Sequence, residues 1–213
     1  TIPDVSRVIS RYADMVMIRS NRHEDVEAFA DQSSIPVING LSDTDHPCQA
    51  IADLMTVQEK KGPLKGLKMT YVGDGNNVCH SLIEACNATG VIITVACPEG
   101  YEPTMEGGDY AVVHNPKDAI TGADVVYTDV WTSMGQEEET QKRLRDFSGY
   151  EINSDLMKLA KSDAIFMHCL PAHRGEEVSH DVVESDQSVV FDQAENRLHA
   201  QKAIMVAIGG SHV

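Results

Sequence analysis

Leu67-Lys68-Met69-Thr70-Tyr71-Val72-Gly73-Asp74-Gly75-Asn76-Asn77-Val78 is the stretch from which the rest of the chain can be read. Residues 67–73 form a largely apolar run, the pattern of a strand covered on both faces. A glycine-punctuated turn follows, then a helical pattern over 79–89. The same rhythm continues toward the C-terminus. Strands are predicted at 91–97, 123–128, 164–167 and, last, 189–191, a short strand or helix end at 109–114, and helices at 136–147 (charged, on the surface), 154–159, 177–184 and 196–208. Toward the N-terminus, Val5, Val8, Ile9 and Tyr12 fall at helical spacing behind Asp4 as N-cap, followed by a strand at 15–18, a helix at 24–32, a strand at 35–41 and a helix at 46–61. Gly62-Pro63-Leu64-Lys65-Gly66 is a turn that separates the two rhythms.

Buried strands alternating with helices predict an α/β protein. From about residue 62 the chain reads as a doubly wound, Rossmann-like parallel sheet, preceded by a partial second α/β domain, because residues 1–45 supply two strands and two helices.

Composition narrows the function. Lys and Arg number 17 against 33 Asp and Glu, a net charge of −16 over 213 residues, so no basic footprint exists for nucleic acid or an anionic membrane. Hydrophobic residues at 42% exclude a disordered acidic tail. Five cysteines (48, 79, 86, 97 and 169), odd in number and without a CxxC pair, point to a reducing, cytoplasmic setting. No apolar run approaches the ~20 residues that span a bilayer. The chain starts at Thr1 without a signal pattern or initiator methionine, which suggests processing or truncation.

In open α/β sheets, ligands sit beyond the carboxyl ends of strands, and the unusual residues gather there. Asp74-Gly75-Asn76-Asn77 follows one strand; Asn77 can hold a carboxylate beside a helix N-terminus, or simply cap it. Asp129-Val130-Trp131-Thr132-Ser133-Met134-Gly135 follows another, where Asp129 suits an ammonium group or caps a helix. His168-Cys169-Leu170-Pro171-Ala172-His173-Arg174-Gly175 follows a third. Cys169 with His168 and His173 falls short of four zinc ligands, and Cys169 can also be read as a buried structural cysteine. Gly73-Asp74-Gly75 begins a dinucleotide fingerprint, but Val78 stands where its third glycine belongs, which weakens an NAD-dehydrogenase reading. His46-Pro47-Cys48-Gln49 opens a helix and places a titratable ring and an amide donor at its positive end, suited to polarising a carbonyl or merely capping the helix. Arg19, ending one predicted strand, and Arg197, following the last, suit an anionic substrate, though either alone can be read as a surface ion pair.

Together, HPCQAIADLMT (46–56), YVGDGNNV (71–78), DVWTSMGQ (129–136), HCLPAHRGEEV (168–178) and FDQAENRLHAQKAIM (191–205) resemble the aspartate/ornithine transcarbamoylases, and their ornithine branch above all. The resemblance implies carbamoyl transfer from carbamoyl phosphate to the δ-amino group of L-ornithine, giving citrulline and phosphate on the route to arginine. It implies no metal and no organic cofactor, and a homotrimer with sites near subunit contacts. Carried onto this sequence, Arg19, His46, Gln49, Cys169, Leu170 and Arg197 correspond to carbamoyl-phosphate ligands, with His46, Cys169 and Arg197 as the catalytic set. Asn77, Asp129, Ser133 and Met134 correspond to ornithine ligands.

The division this implies is 1–45 as a remnant of the carbamoyl-phosphate domain, 46–61 as an interdomain helix, 62–192 as the ornithine-binding domain, and 193–213 as a C-terminal helix returning toward the first domain. The family's early Ser-x-Arg-Thr-Arg string does not occur here. The expectation is therefore a chain lacking the N-terminal part of its carbamoyl-phosphate domain, with little or no turnover alone. A noncatalytic ornithine-binding or regulatory member of the family is the alternative.

Overall fold

A computed structural model describes residues 1–105, 107–132 and 137–210. Five strands, β3 (Lys68–Val72), β4 (Ile92–Ala96), β5 (Ala111–Val113), β6 (Val125–Thr128) and β7 (Ile165–His168), form one parallel sheet in the order β5-β4-β3-β6-β7. The order reverses between β3 and β6, which pair from Met69↔Val125 to Val72↔Thr128. Side chains alternate across this sheet as the period of two requires. Met69, Tyr71, Val125, Tyr127, Ile165 and Met167 pack with Leu54, Val57 and Leu82 of α3 (Pro47–Lys61) and α4 (Asn77–Thr89). Val72, Val126 and Phe166 pack on the opposite face with Ile120 of α5 (Pro116–Ile120), Leu156 of α7 (Ser154–Met157) and Val182 of α8 (His180–Val183).

Residues ahead of α3 build a smaller unit. Strands β1 (Val16–Arg19) and β2 (Val37–Leu41) pair in parallel through α2 (His23–Ala30). α1 (Ile2–Ile9) is tied to α2 by the Ser6 hydroxyl donating to the Phe29 carbonyl at 2.7 Å. Helix α3 leaves this unit and lies along α9 (Val190–Gly209), so the two longest helices link the halves. Among the described residues no helix is long and apolar enough to cross a membrane.

Four expectations are corrected. Residues 189–191 are not a strand: the chain touches β7 once, with Phe166 bridging Ser188, and α9 then begins at Val190. The buried face of α9 runs Val190, Gln193, Asn196, Ala200, polar at its two middle positions, so apolar periodicity could not reveal the helix's first turns. Arg197 lies within a helix as expected, but behind two turns of α9 and not behind a strand. The charged 136–147 segment is a 3₁₀ turn at 137–139 followed by α6 (Thr140–Asp146), and its Arg143 is buried. Thr1, not Asp4, caps α1 through its side chain.

Candidate active site

A cleft of about 970 Å³ opens where β1, β2, β3, β6 and β7 end, and Arg19, His46, Gln49, Asn77, Asp129 and Cys169 all line it. Leu170 lines it as well, and Arg197 reaches it from α9. Ser133 and Met134 lie outside the described residues.

One end is cationic. Pro47 starts α3 with His46 as its N-cap residue, whose backbone N–H is held by the Ser81 hydroxyl at 2.8 Å. Burial, then the charges of Arg197 and Arg19, push the His46 ring down to about 4, so it is neutral near pH 7. An Arg197 Nη1 lies 3.4 Å from His46 Nε2. A guanidinium only donates, so that nitrogen accepts and the ring proton sits on Nδ1. Buried Nδ1 has no partner among the described residues. The same Nη1 donates to Gln49 Oε1 at 2.7 Å.

The other end is built around a carboxylate. Asn76 caps α4, its Oδ1 accepting from the backbone of Val78 at 3.0 Å and Cys79 at 3.1 Å. Its Nδ2 donates to Asp129 Oδ2 at 2.8 Å. Asp129 Oδ1 accepts from the Cys169 thiol at 2.9 Å. Burial and the Asp129 charge push the Cys169 thiol far up, so it is a protonated donor and not a nucleophile. Asn77 donates to the Ser42 carbonyl at 2.7 Å, across to the smaller unit.

Loop 168–178 is fixed by a buried pair. Leu170, at φ 58° in the left-handed region, costs about 1–2 kcal/mol. Its N–H donates to His168 Nδ1 at 2.8 Å. That leaves Nε2 of the ring to donate to Glu177 Oε1 at 3.1 Å. Both His168 nitrogens are thus committed, and His173 gathers with Glu176 and Glu177 rather than with Cys169, so the zinc grouping of Cys169 with both histidines does not assemble.

Sequence reasoning missed Asn76, Asp74, Arg143 and Asp53. Arg143 donates to Asp74 Oδ2 at 2.6 Å and to the Trp131 carbonyl at 2.9 Å, pinning α6 to the β3 turn. Asp53 is an acid on a buried helix face, a signal that could have been noticed. A Cβ on Gly75 would lie 2.3 Å from the Pro103 nitrogen, so backbone covers the turn where a dinucleotide pyrophosphate would rest.

The model described as "Aspartate/ornithine carbamoyltransferase, Asp/Orn binding domain" matches residues 65–208, and that described as "carbamoyl-P binding domain" of the same group matches residues 1–59. The second match overturns the reading of residues 1–45 as a remnant lacking its first part. The carbamoyl-phosphate domain is present. Physically, α1 packs on α2, β1 on β2, and β2 on α3, so residues 1–59 are one packed unit. An ornithine carbamoyltransferase of Pyrococcus horikoshii is 55% identical over 99% of this chain and 70% of its own. The solved ornithine carbamoyltransferase of Pyrococcus furiosus superposes with a TM-score of 0.94 at 55% identity, covering 99% of this chain and 71% of that one. An N-acetyl-L-ornithine transcarbamylase superposes at 0.84 with 30% identity, covering 97% and 72%.

Proposed function

Since the chain belongs to the aspartate/ornithine carbamoyltransferase family, we propose that it transfers the carbamoyl group of carbamoyl phosphate to the δ-amine of L-ornithine, giving citrulline and phosphate. The carrying observation is one cleft with a cationic end (Arg19, His46, Arg197) and an anionic end (Asp129) about the Cys169 thiol. Arg19 and Arg197 neutralise the phosphate; once Arg197 turns to the phosphate its hold on His46 Nε2 ends, so the uncharged ring can carry its proton there and donate to the carbamoyl oxygen without acting as an acid. Gln49, Cys169 and the Leu170 carbonyl flank the carbamoyl group. Asn77 holds the ornithine carboxylate, and Asp129 with Ser133 and Met134 holds its α-amino end.

The δ-nitrogen must lose its proton first. Its free pKa is near that of Lys, ~10.4, so each unit of depression gains about 1.4 kcal/mol of reactive form. Burial between arginines supplies that depression. The neutral amine attacks the carbamoyl carbon, the carbon–oxygen bond to phosphate breaks, and the amine's remaining extra proton leaves to phosphate or solvent. No metal or organic cofactor enters these steps.

The finer assignments belong to the same proposal: a homotrimer, a cytoplasmic setting, and the division into 1–45, 46–61, 62–192 and 193–213. Supplying carbamoyl phosphate and ornithine and measuring citrulline with phosphate in equal amounts tests the reaction. Ornithine binding in calorimetry without any citrulline would instead mark a noncatalytic member. Sedimentation at micromolar concentration tests the trimer.

A further inference from the structure

We infer that Asp53 is the positioning residue of the carbamoyl-phosphate end, a single buried carboxylate that sets the orientation of Gln49 and, through Gln193, of the Cys169 loop. This rests on the function proposed above. Asp53 is fully buried on α3, yet the substrate roles assigned above do not use it. Gln49 Nε2 donates to its Oδ1 at 2.8 Å and Gln193 Nε2 to the same oxygen at 2.7 Å. The Tyr127 hydroxyl donates to Oδ2 at 3.0 Å. The hydrogen bonds continue outward from both amides. Gln49 Oε1 accepts from Arg197 at 2.7 Å, and Gln193 Oε1 accepts the backbone N–H of His168 at 2.9 Å, one residue before Cys169.

Four elements therefore meet at this carboxylate: α3, β6, α9 and the end of β7. An amide has one donor end and one acceptor end, so fixing the NH₂ of Gln49 on Asp53 forces its oxygen toward Arg197 and the cleft. A carboxylate is needed at the centre because it only accepts, and both amides present donors. Burial pushes Asp53 up to about 6, and the amide and hydroxyl donors oppose that rise. A buried acid retained at that cost, with one donor from Gln49 in the cleft wall and another from Gln193, which holds the backbone next to Cys169, is arranged for orientation and not for packing alone.

Asp53→Asn keeps shape and one acceptor oxygen while removing the charge and letting either amide turn. The expected result is a KM for carbamoyl phosphate raised about tenfold or more, the worth of a charge-assisted bond, with the ornithine KM within about twofold. Unchanged kinetics overturn the inference. So does an equal rise in both KM values accompanied by a drop in Tm, which is what a merely structural residue would give. A second measurement needs no variant: the side-chain carboxamide protons of Gln49 and Gln193 should exchange at least about tenfold more slowly than those of exposed Gln32. Equal exchange overturns the hub even if the variant fails to fold. Wild-type protein that forms no citrulline would count against the function proposed above, while the exchange measurement still judges Asp53 by itself.

Discussion

At the Arg19–His46–Arg197 end of the cleft the protein gathers positive charge from residues far apart in sequence. Gln49 and Arg197 are 148 positions apart and meet on neighbouring helices. At the Asn77–Asp129–Cys169 end it uses the short turns that follow adjacent strands, so Asn76 reaches Asp129 straight across from β3 to β6. The first arrangement requires α3 and α9 to pack correctly before it exists. The second forms wherever the central sheet forms. The two ends also carry opposite charge, matching a phosphate on one side and an ammonium on the other, and the thiol lies where they join.

The largest test of this division is Asp129→Asn. It removes the charge that accepts from both Asn76 and Cys169 and that holds the ornithine α-amino group, and should raise the ornithine KM by about 10²–10³-fold, the range for losing one partner of a desolvated charge pair. The KM for carbamoyl phosphate should stay within about twofold, read from steady-state citrulline formation. Loss of carbamoyl-phosphate affinity as well would mean that the ends are not separate.

Two buried groups near the cationic end give it a pH signature of its own. His46 falls from 6.5 to about 4, so between those values the unfolded chain binds the extra proton and stability rises with pH. Asp53 rises from 3.8 to about 6, so across nearly the same window the folded chain binds the proton and stability falls with pH. Each shift amounts to about 3 kcal/mol at full occupancy, and the two nearly cancel. Wild-type denaturant unfolding should therefore be almost flat from these two groups between pH 4 and 6. Asp53→Asn should leave the rise, and His46→Asn the fall. A matching slope in both variants would show that the groups do not titrate against each other.

Arg197→Lys comes next. A single Nη1 meets both Gln49 and His46, so a lysine could keep those contacts but cannot offer phosphate a planar fork; the KM for carbamoyl phosphate should climb about 10–100-fold, worth about 1.5–3 kcal/mol, while ornithine binding by calorimetry is unchanged. An equal loss of ornithine affinity would join the two ends into one unit.

This asymmetry also explains how much could be read from the sequence. Strands β3, β4, β6 and β7 announce themselves as apolar runs, and their end turns carry Asn77, Asp129 and Cys169 in plain sight. The cationic end was legible only as separate motifs. Nothing local says that Arg197 faces Gln49, because the face of α9 that carries Gln193 and Asn196 inward is polar and hides its period. The same polarity led to a strand being expected at 189–191. Arg143 looked like one charge among many on a surface helix, and only the fold shows it buried against Asp74. Ser133 and Met134, plain in the sequence, lie outside the described residues.

The smallest effect separates capping from positioning at Asn76, which does both. Asn76→Ala should lose about 1 kcal/mol of stability with the α4 cap. Asn76→Ser restores an N-cap oxygen of equal quality but is one group too short to reach Asp129, so stability should return to within about 0.5 kcal/mol of wild type. If the turn serves ornithine through Asp129, the ornithine KM should remain raised about three- to tenfold in both variants, as the loss of one hydrogen bond to a charged group predicts. Recovery of that KM in the serine variant would show that the cap alone shapes this end, and that its carboxylate needs no partner to hold it in place.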